Sequence, residues 1–155
     1  MGLFASVAGI LVIQLALVCW FDLKYGIIPN VLNISIAITG LAIGQLVAAM
    51  PALLGLLKIV SIYAFFWVVA LAYRAGRGQS GLGGGDIKFL AAASAWIDLQ
   101  TLPWLVLVSC VSGLAVAIFA AWRGSRLSAE RRIPFGPHLA LGLFAVWLAT
   151  NRLGV

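Results

Sequence analysis

Charged residues are scarce in this chain of 155 residues: they make up only 9% of it, against about 25% in soluble domains. Hydrophobic residues account for 64%, and the mean hydropathy is +1.14. A chain this short has no interior large enough to hide so much apolar surface, so the excess must face lipid. The composition therefore excludes a soluble enzyme, a disordered chain and a nucleic-acid-binding domain, and predicts an integral membrane protein.

Cysteine and histidine are equally rare, with two cysteines and one histidine. Cys19 and Cys110 lie in apolar runs without metal-ligand spacing, which is typical of buried free thiols. The sequence offers no disulfide scaffold, no ligand cluster, and no Ser/His or Cys/His pairing for nucleophilic catalysis. We expect neither a metal nor a cofactor.

Apolar runs long enough to be membrane helices dominate the rest of the chain. The six runs are Gly2 to Phe21, Val31 to Met50, Ala52 to Tyr73, Ile87 to Ile97, Leu102 to Trp122 and Pro137 to Leu153. The fourth has only eleven residues and would need a continuation through Asp98 to Thr101, or a thin or wet bilayer, to span. The first run lacks a basic n-region and a small-residue cleavage site, so we expect a retained span rather than a signal peptide. The predicted fold is an all-α, polytopic bundle of six transmembrane helices, the fourth short.

The distribution of basic residues predicts the orientation of this bundle. With the N-terminus outside, eight of the ten Lys and Arg residues fall in cytoplasmic loops, and only Lys58 and Arg152 lie on the outer side. Cytoplasmic loops carry the excess of Lys and Arg, so the pattern predicts an N-out, C-out topology. In that topology Lys58 can snorkel outward, and Trp96 lies near the outer interface.

Acidic residues number only four, and two of them share a depth in the predicted topology. Asp22 lies where the first helix leaves the membrane on the cytoplasmic side, and Asp86 where the fourth helix enters from that side. Two carboxylates a few ångströms apart cannot both ionise cheaply, so a close pair shares one proton and can act as in aspartic proteases. The alternative is structural: Asp86 as the N-cap of its helix and Asp22 as a solvated helix-end residue.

Three segments resemble a known family. Gly83-Gly84-Gly85-Asp86 matches the GxGD signature of membrane aspartyl proteases, and Asp86-Ile-Lys88 continues it. Asp22-Leu-Lys24-Tyr-Gly-Ile-Ile-Pro29-Asn30 resembles the first aspartate motif of the type IV prepilin peptidases. Arg132-Ile-Pro134-Phe-Gly136-Pro137 resembles the Pro-Phe/Tyr-Gly-Pro segment near their C-terminus. The three motifs occur in the family's order and cover essentially the whole chain.

The resemblance implies a single membrane-embedded peptidase domain over residues 1–155, with Asp22 and Asp86 as the catalytic pair. The chain lacks the paired Cys-x-x-Cys motifs of the bifunctional members, so we expect the short Tad/Flp-type form, without N-methylation of the product. Further motif residues are expected to shape or tune the site. These are Lys24, Lys88, Gly83, Gly85, Pro29, Asn30, Pro134, Gly136 and Pro137.

The expected function is cleavage of the leader peptide from prepilin or pseudopilin precursors by an aspartic endopeptidase in the bacterial inner membrane, with the active site facing the cytoplasm. Besides this substrate, membrane lipid is an expected partner, nucleic acid is not, and the oligomeric state is left open. Two alternatives remain: a presenilin-like intramembrane protease, and a small proton- or cation-coupled carrier or assembly subunit in which Asp22 and Asp86 bind the ion.

Overall fold

The computed structural model describes residues 2–48, 51–78, 81–123 and 134–153. Within these ranges the chain forms six α-helices and one short 3-10 helix, without a β-strand. The α-helices are α1 (Gly2–Tyr25), α2 (Asn30–Ala48), α3 (Ala52–Arg77), α4 (Gly84–Ala93), α5 (Leu102–Trp122) and α6 (Gly136–Leu153), and the 3-10 helix is Leu99–Thr101. The predicted all-α bundle of six helices is confirmed.

Four of the helical segments are long and apolar enough to cross a membrane, among the residues described: Phe4–Tyr25, Asn30–Val47, Ala52–Arg77 and Leu99–Trp122. Most of their large apolar side chains are exposed, as expected for surfaces that face lipid. The protein is therefore a multi-pass membrane protein.

Helix α4 differs from these spans in both length and surroundings. Its ten residues rise about 15 Å, half the thickness of the hydrocarbon core. It packs against α2, α3 and α6, and six of its ten residues are buried. The small residues Ala91–Ala93 allow this close packing. The short fourth run is thus the centre of the bundle rather than another lipid-facing span.

The fourth apolar run ends in a turn after α4. The chain does not continue as a helix through Asp98, because the helix ends at Ala93 and tightens into turns in which the Trp96 amide donates to the Ala93 carbonyl. Trp96, expected near the outer interface, is buried within the protein, and its Nε1 donates to the Ile36 carbonyl at 2.8 Å. Its depth in the membrane stays a prediction. A Cβ at Gly40 would lie 2.7 Å from the Trp96 ring, so this glycine allows the close approach of α2.

Helix ends also differ from the predicted limits. α1 continues past Phe21 to Tyr25, and α3 continues past Tyr73 to Arg77. The polar residues after each apolar run remain helical, and the helix stops where a glycine takes a left-handed conformation, at Gly26 (φ +66) and Gly78 (φ +67). Asp22 therefore lies inside α1 rather than beyond its end.

The predicted basic loop falls outside the described residues, with Arg126, Glu130, Arg131 and Arg132. The same holds for the end of the second apolar run at Met50 and for the side chain of Arg152. The N-out, C-out orientation stays a prediction.

Candidate active site

Asp22 lies in the last turn of α1 and is almost fully buried, with 6% of its surface exposed. Its Oδ2 accepts a hydrogen bond of 2.6 Å from the backbone N–H of Gly136, the first residue of α6. The first amides of a helix lack intrahelical acceptors, and the positive end of the helix dipole favours a carboxylate there. The start of α6 thus fixes the position of the Asp22 carboxylate.

The close approach of Gly136 to Asp22 explains why a glycine stands at this position. A Cβ on Gly136 would lie 2.7 Å from Oδ2 and 2.9 Å from Cγ of Asp22, inside any normal contact distance. Because the carboxylate is buried and held, it has little room to move away. Any larger residue at Gly136 would displace either Asp22 or the start of α6.

Asp86 is the third residue of α4, and Gly83 occupies the N-cap position in an extended conformation. The Asp86 carboxylate accepts a hydrogen bond from the Gly83 backbone amide, the reach-back half of a capping box. Asp86 is therefore not the N-cap that the structural alternative requires. A Cβ on Gly83 would lie 2.7 Å from Oδ2 of Asp86.

The protonation of Asp86 follows from its surroundings at the start of α4, outside the four candidate spans. Burial raises the pKa of its carboxyl to about 6, the negative charge of Asp22 acts in the same direction, and the Gly83 amide opposes both. A carboxyl with this pKa exchanges its proton near neutral pH, as an acid–base catalyst must.

Both aspartates line one cavity of about 740 Å³, which is of the size that ligand-binding clefts have. The cavity joins the three segments that the sequence singles out: the end of α1 and the connection to α2, the glycine-rich loop with the start of α4, and the connection before α6. The candidate residues that line it are Asp22, Asn30, Gly83, Gly85, Asp86, Lys88 and Pro134.

A hydrogen bond links two of these segments at the cavity wall. The Lys88 ammonium, on α4, donates to Oδ1 of Asn30, on α2, at 2.8 Å. α2 begins at Asn30, and the carbonyl of Pro29 accepts the amides of Leu32 and Asn33. The Asn30 side chain therefore binds Lys88 and ties the first aspartate motif to the second.

Lys24 lies elsewhere. Its ammonium is 5.0 Å from the centre of the Trp20 ring and 5.2 Å from that of Tyr25, and the side chain is exposed. The two lysines that each follow an aspartate by two residues thus have different environments. Lys88 lines the cavity, whereas Lys24 packs on aromatic rings at the end of α1.

The remaining candidates lie in the connections. Gly85 faces Ile28, since a Cβ there would lie 3.4 Å from that side chain. Pro137 is the second residue of α6, where a missing N–H costs nothing, and the amides after it bond to the Phe135 carbonyl.

Sequence reasoning missed the apolar contributors to the cavity, among them Ile28 and Phe135. Both lie inside the motifs, but an apolar residue in a membrane protein carries no signal of its own. It also missed the contact between Gly136 and Asp22, whose partners are 114 positions apart in the chain. No group of three or more His, Cys, Asp or Glu side chains comes together to hold a metal among the residues described.

Comparison with known proteins finds relatives that are all named as leader peptidases. Residues 9–118 match the family model described as the type IV leader peptidase family. The prepilin leader peptidase/N-methyltransferase of Burkholderia pseudomallei is 36% identical over 124 residues, which cover 78% of this chain and 39% of the relative. That of Dickeya chrysanthemi is 32% identical over 154 residues, covering 99% of this chain and 50% of the relative.

A third relative has a similar length. The leader peptidase HopD of Escherichia coli is 31% identical over 133 residues, covering 81% of each chain. The chain spans half or less of the two prepilin leader peptidase/N-methyltransferases above. No solved structure matches it significantly. The matched region contains both aspartates and most of the cavity, and the chain belongs to the type IV leader peptidase family.

Proposed function

We propose that this protein is a membrane aspartyl endopeptidase that removes the leader peptide from Flp-like type IV prepilins, with residues 1–155 forming one peptidase domain. The observation that carries the proposal is the shared cavity: Asp22 and Asp86 are far apart in sequence, yet they line the same cavity and interact electrostatically. The printed names of the relatives, prepilin leader peptidases and a leader peptidase, support the same substrate class.

The two carboxylates take different roles in the proposed reaction. Asp86 holds the proton, because its pKa is raised to about 6, and it protonates the carbonyl oxygen of the scissile peptide bond. Asp22, held by the Gly136 amide, draws a proton from the attacking water. The water oxygen adds to the carbonyl carbon to give a tetrahedral diol. When the C–N bond breaks, the amine takes the proton from Asp22, and a hydroxyl of the diol returns a proton to Asp86. No covalent enzyme intermediate is needed.

The glycine-rich loop makes room for the substrate beside Asp86. Gly83 and Gly85 line the cavity and carry no side chain that would fill it. An extended leader segment can lie along this loop, while the apolar helix of the precursor packs against the lipid-facing surface of the bundle. The apolar wall formed by Ile28 and Phe135 contacts the residues next to the scissile bond.

The site belongs at the cytoplasmic face of the bacterial inner membrane in this proposal. The orientation rests on the excess of Lys and Arg in the loops that the predicted topology places on the same side of the membrane as Asp22. Precursors present their basic leader on that side, so substrate and carboxylates meet without translocation of the leader.

The direct test is co-expression with a tagged Flp-type prepilin, with leader removal read as a gel shift and confirmed by mass spectrometry. Wild type should cleave the precursor, and Asp22→Asn and Asp86→Asn should each abolish cleavage, since each removes one half of the acid–base pair. Both variants should insert into the membrane at wild-type levels.

Glu130→Gln provides the matched control, because it makes the same carboxyl-to-amide exchange at another of the four acids. It should cleave as wild type does. Substantial cleavage by both single aspartate variants would contradict the assignment of Asp22 and Asp86 as the catalytic pair. If no form cleaves the precursor and reconstituted wild type conducts protons, the alternative of a small proton-coupled carrier would be favoured.

A further inference from the structure

A second cavity lies at the end of the bundle opposite the aspartates. It measures about 240 Å³ and is bordered by the turn that follows α4, while Asp86 stands at the start of that helix. The second half of α2, the first turns of α3 and the last turns of α6 form its other walls. Nothing in the proposed peptidase reaction uses this cavity.

Lys58 is the cation of this cavity. It belongs to α3, inside a candidate span, and its side chain is partly buried. Its ammonium donates to the Ile97 carbonyl, in the turn after α4, at 3.0 Å. An ammonium has three N–H donors, so this bond leaves two for a further acceptor. Charged groups at membrane depth are costly, and such positions are usually functional.

A carboxylate and two indole rings complete the cavity. Asp98 lines it beside Lys58, close enough for the two charges to interact. Trp96 and Trp147 also line it, with ring centres 6.3 Å apart in an edge-to-face arrangement. The Asp98 carboxylate can bind an ammonium ion, and the two buried indole rings form part of the cavity wall. The cavity thus offers a site for an anion at Lys58 and a site for a cation nearby.

We propose that this cavity binds the phosphoethanolamine headgroup of an aminophospholipid, with the phosphate at Lys58 and the ammonium at Asp98. The cavity is smaller than the roughly 300–1,000 Å³ of drug-sized ligand sites, which fits a headgroup. It lies between helices whose outer faces meet lipid, so the acyl chains stay in the bilayer. The assignment is independent of the peptidase activity.

The experiment uses the full-length protein in nanodiscs that contain equal amounts of ethanolamine, choline and glycerol phospholipids, with retained lipids counted by native mass spectrometry. Wild type should retain the ethanolamine lipid in preference to the other two. Lys58→Met should lower this retention by about tenfold, the effect of one charge-assisted hydrogen bond. Asp98→Asn should remove the preference for ethanolamine over glycerol lipid while leaving retention of the latter.

Two further variants keep the test decisive. Lys24→Met removes an exposed cation at the other end of the bundle and should retain lipid as wild type does. Lys58→Arg keeps the charge and should keep the preference. If Lys58→Met does not accumulate in the membrane, loss of preference in Asp98→Asn carries the test by itself.

Several results would overturn the proposal. Equal retention of the three lipids by wild type would do so, as would unchanged preference in Asp98→Asn. Soluble phosphoethanolamine separates a lipid from a free phosphate compound: thermal stabilisation by the soluble compound, without selective lipid retention, would show that the ligand is not a lipid.

Discussion

The two halves of the candidate site are built in different ways. Asp22 is buried in a long lipid-facing helix, and a backbone amide from the opposite end of the chain holds its carboxylate. Asp86 is more exposed, begins a short central helix, and is held by an amide only three residues away. A carboxylate fixed through a distant contact tolerates little change, whereas one held by its own turn can adjust. The comparison predicts that the Asp22 half is the more sensitive.

Among the changes that leave both carboxylates in place, the largest effect is expected at the two glycines next to them. Gly136→Ala should lower the initial rate of leader cleavage by about 100-fold, because misplacement of a catalytic group by about 1 Å has this cost. Gly83→Ala should lower it by only about tenfold, because the Asp86 side chain can move into the open cavity. Rates would be measured in membranes and normalised to the amount of protein.

Gly84→Ala is the matched comparison, since a Cβ at this neighbouring position meets no heavy atom within 4 Å. It should reduce the rate far less than Gly83→Ala. If Gly83→Ala proved as damaging as Gly136→Ala, the proposed difference between the two halves of the site would be wrong.

The pH dependence of cleavage tests the assignment of the proton to Asp86. With its pKa raised to about 6, cleavage by the purified protein should decline above that pH, approaching tenfold per pH unit. A rate that rises from pH 6 to pH 8 would contradict Asp86 as the general acid. The measurement is kcat/KM between pH 5 and pH 8 in detergent.

Stability should show the same titration without any substrate. A pKa raised above the unfolded value of 3.8 means that the proton stabilises the folded state. This stabilisation is complete below pH 3.8 and is lost as the pH rises through about 6. As the pH rises from 3.8 to about 6, the Tm of wild type should therefore fall relative to that of Asp86→Asn. If the two Tm values change with pH in parallel, the raised pKa of Asp86 is excluded.

The smallest effect is expected at the lysines. Lys88→Met and Asn30→Ala should each slow cleavage by about fivefold, and the double variant should be no slower than either, because both remove the same hydrogen bond of about 1 kcal/mol. Lys24→Met should slow cleavage less than twofold, because its ammonium packs on aromatic rings at the end of α1 and does not line the cavity. Equal effects of Lys24→Met and Lys88→Met would mean that the net charge, not the Asn30 contact, matters.

The sequence predicted the elements of this fold better than the contacts between them. Apolar runs identify helices that face lipid, so five of the six runs gave helices of nearly the expected extent. The fourth run is too short for a membrane span. This is because α4 is surrounded by the other helices and does not need to cross the bilayer. Its turn at Ser94–Ile97 depends on packing against α2, including the bond from Trp96 to the Ile36 carbonyl, which no local pattern encodes.

The same distinction holds for the site. Asp22 and Asp86 stand out because acids are so rare in this chain, and a predicted topology was enough to put them at one depth. The Gly136 amide on Asp22 and the bond between Lys88 and Asn30 join segments 114 and 58 positions apart. Such pairs are fixed by how the helices pack, and a single sequence carries no record of that packing.

The burial of α4 has a consequence for the membranes in which this protein can work. Spanning helices respond to a thicker or thinner bilayer by tilting, because their apolar length must match the hydrocarbon core. α4 contacts its neighbouring helices instead, so changes in acyl-chain length or growth temperature do not act on it directly. The helix that carries Asp86 is thereby insulated from variation in bilayer thickness.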